Sequence, residues 1–460
     1  MQPRTRVSRF PRVSLSFALL ATFLILLWLA GGASREDVIG QAIVRGAAWL
    51  TLIGIALFGP RPDWHAIRPV ALLLMAALLI VLLQLIPLPP SIWQALPGRA
   101  VLADATSSAS QLPWRPIAIV PGAAWNAASS LVVPATILLL AAGLDTREQS
   151  WVLTLLLALV ALSALMGLLQ FSGARFDNPF VNETPGQVSG TFANRNHFAL
   201  LLAMGCVLAP VWAFFEGRRS QWRGPVAVGL ILLFALVILA SGSRAGMILG
   251  ILALGMGLLL AWRPLRRELR RYPAWTMPVL LGAIVVMIGG AILLSVASDR
   301  ALAITRVIAT EGDEDMRTRA LPTVWTMVQT YFPAGSGFGG FDPMFRLHEP
   351  YTLLKPTYFN HAHNDFVEIV LDGGLAGLLL LGAAIIWWLI ATIGSWRRNE
   401  DASLARVGSV LLLLVFVASA FDYPARTPMM MAICILAGTW LARKEKRPVG
   451  SALPEESQQL

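Results

Sequence analysis

Charge is scarce in this chain: only 13% of its 460 residues are Asp, Glu, Lys or Arg, against 56% hydrophobic. A soluble domain has no use for so much apolar sequence. Cysteine is scarcer still, with Cys206 and Cys434 alone, both inside apolar runs and in no Cys-x-x-Cys pair. That leaves no redox motif, and both read as packing residues. Internal repetition is missing as well, since residues 1 to 230 and 231 to 460 show no similar halves of the kind many secondary carriers carry. The glycine run Gly335 to Gly340 lacks the Lys-Ser/Thr that completes a nucleotide-phosphate loop.

What is present is a series of apolar stretches that reach or approach the ~20 residues needed to cross a bilayer. They fall near 13–32, 41–59, 69–88, 124–143, 151–171, 196–215, 225–241, 245–262, 277–296, 366–392, 406–421 and 427–442. The chain therefore reads as an all-α polytopic membrane protein of about twelve transmembrane helices. Its basic start followed by an apolar run looks like a signal peptide, but further spans follow at once and make it an uncleaved first span. With the N-terminus inside, 22 of the 36 basic residues fall in inside segments and 13 outside, with Arg45 left within the second span. The bias is densest in short loops, so both termini are expected in the cytoplasm. The net charge of +10 then marks topology and does not indicate nucleic acid.

Two long segments are expected outside. Residues 87–123, rich in Pro, Ser and Ala, read as a partly irregular cover. Residues 298–364 are expected to hold a helix opening at Pro322, with Val324, Trp325, Met327, Val328, Tyr331 and Phe332 at roughly helical spacing. Polar interruptions gather on the same side. Thr191-Phe-Ala-Asn194-Arg195-Asn-His197 opens the sixth span, and Ser241-Gly-Ser-Arg244-Ala-Gly246 is a tight turn between the seventh and eighth. An arginine at the membrane edge is costly unless it snorkels or has a partner, and such residues are usually functional.

The densest chemistry lies in Tyr358-Phe-Asn-His361-Ala-His363-Asn364-Asp365-Phe-Val-Glu368, directly before an apolar run. Imidazole is the side chain whose unperturbed pKa lets it exchange a proton near neutrality. Asp365 and Glu368 have capping-box spacing and read as structural. His361, His363 and Asp365 could ligate a metal, but a spacing of two suits an extended strand, not a known cluster. His197 reads equally as a helix-start residue or a ligand binder, and His65 and His348 as solvated loop positions.

Four blocks together resemble the O-antigen ligase and O-antigen polymerase superfamily of bacterial membrane enzymes: Gly190 to Ala199, Gly242-Ser-Arg-Ala-Gly246, an Arg-bearing segment leading to Pro333-Ala-Gly-Ser-Gly337, and Ala362 to Gly377. The resemblance covers about residues 150–425, which it marks as the catalytic region including loop 298–364. Residues 1–149 are then N-terminal transmembrane helices, and 426–460 the last helix and a cytoplasmic tail. It implies a GT-C-like architecture with a helical periplasmic loop domain, in the bacterial inner membrane with the site facing the periplasm. The implied activity needs no metal or other cofactor. It moves a glycan from undecaprenyl diphosphate to an acceptor hydroxyl, on lipid A-core for ligases or on another glycan repeat for polymerases. On this resemblance the essential histidine matches His363 and the turn arginine Arg244. The loop arginine is Arg317 or Arg319, with Arg317 favoured although neither has the family's usual spacing to the following Trp. Arg195, Arg319, Asn194, His361 and Asn364 are expected to bind substrate.

The chemistry agrees. Leaving of a diphosphate builds negative charge that fixed guanidiniums can hold by bidentate hydrogen bonds, and a neutral His363 can take the proton of the attacking hydroxyl. A single displacement then inverts the sugar carbon. The rival expectations are a secondary transporter, disfavoured because the polar residues gather at one face and not the midplane, and a non-catalytic export partner, disfavoured by the His and Arg set.

Overall fold

The computed structural model describes residues 13–105, 112–173, 178–182, 186–214, 222–270, 313–354, 359–397 and 404–443, with isolated positions between 271 and 312. Its elements in order are α1 (Leu15–Ala30), α2 (Ile39–Phe58), α3 (Trp64–Gln84), β1 (Pro87–Leu88), α4 (Pro90–Trp93), α5 (Ala100–Ala105), β2 (Arg115–Pro116), α6 (Pro121–Ser130) and α7 (Val132–Ala142). Then come α8 (Thr146–Phe171), α9 (Arg195–Phe214), α10 (Arg223–Ala240), α11 (Arg244–Leu269), α12 (Asp313–Tyr331), α13 (Phe341–His348), α14 (Asp365–Trp396), α15 (Leu404–Ser419) and α16 (Pro428–Ala442). Among the described residues, eight helical stretches, counting α6 and α7 as one, are long and apolar enough to cross a membrane, and α1, α15 and α16 are shorter apolar helices. This is an all-α, multi-pass membrane protein. The helices follow eleven of the twelve expected spans, and the twelfth, 277–296, falls where only isolated residues are described.

Helix ends follow local chemistry. Asp145 and Glu148 close a capping box at the start of α8, Ser14 caps α1, and Ser243 caps α11 through the Gly246 N–H. The most enclosed span is α9, with 89% of its apolar window buried, because α8, α10, α11 and α15 pack around it. Its N-terminus therefore presents Asn194, Arg195, Asn196 and His197 at the centre of one end of the bundle. By contrast only 6% of the apolar window of α14 is buried.

Above that end sits a second core. One face of α12, formed by Met316, Ala320, Val324, Met327, Val328 and Tyr331, packs on Phe341, Met344 and Phe345 of α13. The spacing is helical, as expected, but the helix opens at Asp313 and runs through Pro322 instead of starting there. Thr326 Oγ1 bonds the Pro322 carbonyl at 3.0 Å, so a side chain occupies a backbone acceptor of that turn. Trp325 and Phe332 stay exposed.

The cover over 87–123 is tied down at two points. The β1 and β2 dipeptides pair antiparallel, and the buried Arg99 donates to the carbonyls of Ile117 at 2.6 Å and Gly335 at 3.0 Å. The glycine run is a packing device. A Cβ on Gly335 (φ 82°) would lie 2.5 Å from the Asp372 carbonyl, and one on Gly374 (φ 57°) 2.1 Å from that of Pro333. There the turn enters the non-helical break of α14, where Ser336 N–H bonds the Leu371 carbonyl at 2.9 Å and Leu375 N–H that of Pro333 at 2.9 Å. A short segment from Asp365 to Gly373 is thereby held apart from the main span.

Candidate active site

Three polar turns meet at this end of the bundle: the start of α9, the stretch before α14, and the turn between α15 and α16. Asp422, in the last of these, joins them. Its Oδ2 accepts from Asn194 Nδ2 at 3.0 Å and Asn196 Nδ2 at 2.7 Å, and its Oδ1 from His363 Nδ1 at 3.1 Å and the Tyr423 N–H at 3.0 Å. Burial works against ionisation of this carboxyl, yet His197, 3.8 Å away, and His363 outweigh it and hold it well below the usual carboxylate range. Asp422 is thus an acceptor on every edge. The His363 proton must then sit on Nδ1, which leaves the lone pair on Nε2.

His363 is the only non-glycine among the described residues with a positive φ, 51°. An imidazole on a left-handed backbone costs energy that its surroundings must repay, and such strain gathers at functional sites. The tie to Asp422 on one side and the edge contact with Tyr423, 4.9 Å between ring centres, hold the ring in that place. Burial pushes the His363 pKa down, against the raising effect of Asp422 and with the help of Arg317. The ring is therefore neutral at neutral pH, the form a base needs.

The expected arginines fall into two groups. Arg317 Nη2 stands 3.9 Å from Asp422 Oδ2 with its side chain 28% exposed, while Arg319 turns away and donates to the Thr352 carbonyl at 2.9 Å. Arg195 and Arg244 are the first residues of α9 and α11, and these helix starts are joined because Ser243 Oγ bonds Asn196 Oδ1 at 2.7 Å. Arg317 thus stands beside the carboxylate that holds His363, and Asn196, which binds the same carboxylate, ties the helix starts bearing Arg195 and Arg244 to it.

His361 points elsewhere. Its Nδ1 lies 2.9 Å from Glu368 Oε1, whose carboxylate also takes the Ala362 N–H at 2.7 Å and Arg426 Nη1 at 3.1 Å. Arg426 further donates to Asp365 Oδ1 at 3.0 Å, and Ser419 Oγ to Asp365 Oδ2 at 3.0 Å. Asp365 and Glu368 therefore do not form a capping box. The cap of α14 is Asn364, whose Oδ1 accepts from Val367 N–H at 3.1 Å and whose Nδ2 donates to the Ala420 carbonyl at 3.1 Å. Both ends of the Asn364 amide are engaged within the protein. His348 is no solvated loop residue either, since Tyr331 Oη lies 2.8 Å from its Nε2.

Asp422, Tyr423 and Arg426 were missed by the reading of the sequence. The signal was there in Phe421-Asp-Tyr-Pro-Ala-Arg426, an acid and an arginine in a short turn between two apolar runs, just as Ser241 to Gly246 sets an arginine in one.

Two hollows adjoin the site. One is an apolar groove of about 650 Å³ between α12 and α14, lined by Trp325, Phe332, Phe366, Val370, Leu378 and neighbours. The other is a polar pocket of about 170 Å³ walled by Tyr423, the α1–α2 turn and the start of α9.

A family model described as O-antigen ligase matches residues 228–382, which hold Arg244, Arg317, Arg319, His361 and His363. Over that segment the chain is thus similar to the O-antigen ligase family. Among curated relatives, the "Exopolysaccharide production protein ExoQ" of Rhizobium meliloti (strain 1021) is 28% identical over 239 residues, half of this chain and 53% of that protein. The match spans about half the length of that relative.

Proposed function

We propose that this protein is a periplasmic-face glycosyltransferase that moves a glycan from undecaprenyl diphosphate to an acceptor hydroxyl, with inversion and without a metal. The observation that carries this reading is the His363–Asp422 pair, its basic Nε2 left over, set beside Arg317 and the starts of α9 and α11. In the step proposed, the acceptor O–H gives its proton to His363 Nε2 as its oxygen bonds the anomeric carbon. The bond from that carbon to the diphosphate breaks, and the electron pair leaves with the phosphate oxygen. Arg317, Arg195 and Arg244 hold the charge that builds there. Asp422 steadies the imidazolium, as an orienting carboxylate does in other His-based sites.

The groove supports the nature of the donor. Its walls are apolar, it lies beside a helix whose apolar window is almost wholly unburied, and Phe366 and Val367 directly follow the turn that bears His363. A polyprenyl tail would fit there with its diphosphate reaching the arginines. The rhizobial relative's role in exopolysaccharide production favours a growing glycan over lipid A-core as acceptor.

The test is a reconstituted assay with undecaprenyl diphosphate-linked glycan. His363→Ala should lose ~10² to 10⁴ in rate, as removal of a positioned base typically does. Chelator should change nothing. Near-normal transfer by His363→Ala, or loss of wild-type transfer on chelation, would overturn the mechanism.

A further inference from the structure

The polar pocket is not needed for the step just described, yet it is built as a ligand site. Its lining brings together Ser34 from the α1–α2 turn, Asn182, Asn194 and His197 from around the start of α9, Asn360, and Tyr423. His197 is 2% exposed, and neither of its ring nitrogens has a hydrogen-bond partner; the nearest carboxylate oxygen lies 3.8 Å away. With Nε2 facing Asp422 across that distance, the buried Nδ1 is left unmet, which costs free energy unless something entering the pocket meets it.

The chemistry of that ligand follows from the walls. The one guanidinium of the lining, Arg35, is held by both oxygens of Asp37. What remains is neutral: the carboxamides of Asn182 and Asn360, the Ser34 hydroxyl and the His197 imidazole, each able to give or take a hydrogen bond, around the ring of Tyr423, with the Asn194 amide engaged by Asp422 and the Asn196 N–H. A phosphate would want cations. A sugar offers what these groups complement, hydroxyls that both donate and accept and a C–H face that stacks on an aromatic ring.

We propose that this pocket binds the acceptor sugar, seating one monosaccharide ring of the growing glycan so that a neighbouring hydroxyl reaches across Tyr423 to His363. The proposal rests on the transferase reading and names its acceptor subsite. Tyr423 is the shared wall, with its ring 5.1 Å from that of His197 and 4.9 Å from that of His363. Asn360 lies three residues before His363 on the same stretch. Of the six residues named, only Asn360 lies within the matched O-antigen ligase segment 228–382.

The experiment uses the full-length protein in nanodiscs and saturation-transfer NMR with methyl glycosides of glucose, galactose and N-acetylglucosamine, with inorganic diphosphate as competitor. At least one glycoside should bind, diphosphate should leave it bound, and Ser34→Ala and Asn182→Ala should each weaken it about tenfold, the value of one lost hydrogen bond of ordinary strength. His363→Ala should bind the glycoside as the wild type does, so that failure of the transfer mechanism and failure of the pocket are read separately. Displacement by diphosphate would make the pocket an anion site and sink the proposal. So would absence of binding by all three glycosides, or binding unchanged in both variants.

Discussion

Asp422→Asn tests the site where its geometry is most demanding, because every neighbour of that carboxylate is a donor. If the new NH2 takes the place of Oδ2, it faces the amide nitrogens of Asn194 and Asn196 at 3.0 and 2.7 Å. Neither amide can turn without loss, since Asn196 Oδ1 holds Ser243 Oγ at 2.7 Å and Asn194 Oδ1 holds the Asn196 N–H at 2.8 Å. Two hydrogen bonds to a charged acceptor are then forfeited, at about 1.5–3 kcal/mol each. If the NH2 instead takes the place of Oδ1, His363 Nδ1 must accept, its proton moves to Nε2, and the base is gone. Either arrangement should lower the rate by ~10² to 10⁴, which at 1.36 kcal/mol per decade is about 2.7–5.4 kcal/mol. The pH dependence carries a sign. Catalysis needs neutral His363, so activity is present above the folded-state pKa of this residue and lost as pH falls through it. Asp422 raises that pKa, so in the Asn variant the residual activity should keep its acid limb to lower pH. Transfer measured from pH 5 to 8, the range over which histidine ordinarily titrates, reads both effects, with size-exclusion profiles to establish that the variant is folded. Turnover within about threefold of wild type with an unmoved acid limb would refute the assignment of Asp422.

Arg317→Lys keeps the charge but not the planar fork, and should lose most transfer while inserting normally, whereas Arg319→Lys should remain close to wild type because Arg319 serves the Thr352 carbonyl. Equal losses in the two, read in the same assay, would remove the distinction. Reporter fusions after Arg271 and Arg447 should be cytoplasmic and one near Leu347 periplasmic. A cytoplasmic signal at Leu347 would put the site on the wrong side for a lipid-linked glycan.

Hydropathy made the spans legible because the bilayer imposes a local rule, one apolar run per crossing, that needs no knowledge of partners. The same holds for the polar turns: Arg195, Arg244 and His363 stand out because they interrupt such runs, and the fold brings their helix ends to one place. What could not be read is pairing at a distance. Asp422 is 59 positions from His363 and more than 220 from Asn194 and Asn196, so no spacing announces the contact. The α14 cap shows the complementary failure. Asp365 to Glu368 and Asn364 to Val367 have the same offset of three, and only the tertiary position of Arg426 decides that the acids turn to it while Asn364 makes the cap. Pro322 misled for a similar reason, since tertiary packing of one α12 face outweighs the local break that proline threatens.

His361 and His363 share a turn, a neighbouring Tyr423 and a carboxylate each, yet the surroundings of the carboxylates separate their roles. Asp422 is met by neutral donors and two imidazoles, with Arg317 only at 3.9 Å, so His363 is its closest titratable partner and the ring can gain a proton against a nearby negative charge. Glu368 instead binds Arg426 at 3.1 Å and the Ala362 N–H at 2.7 Å, and Arg426 also answers to Asp365. The geometry of a carboxylate so occupied serves to join the start of α14 to the turn before α16. His361 is then a strut whose Nδ1–H is the part that matters. His361→Gln can supply an amide N–H to Glu368 Oε1 in place of the 2.9 Å contact and should retain transfer within about tenfold, a loss of about one hydrogen bond. His361→Leu leaves Glu368 short of a donor and should lower thermal stability as well as rate. A His361→Gln variant as inactive as His363→Ala would show that both rings handle the proton, and the division of roles would fall.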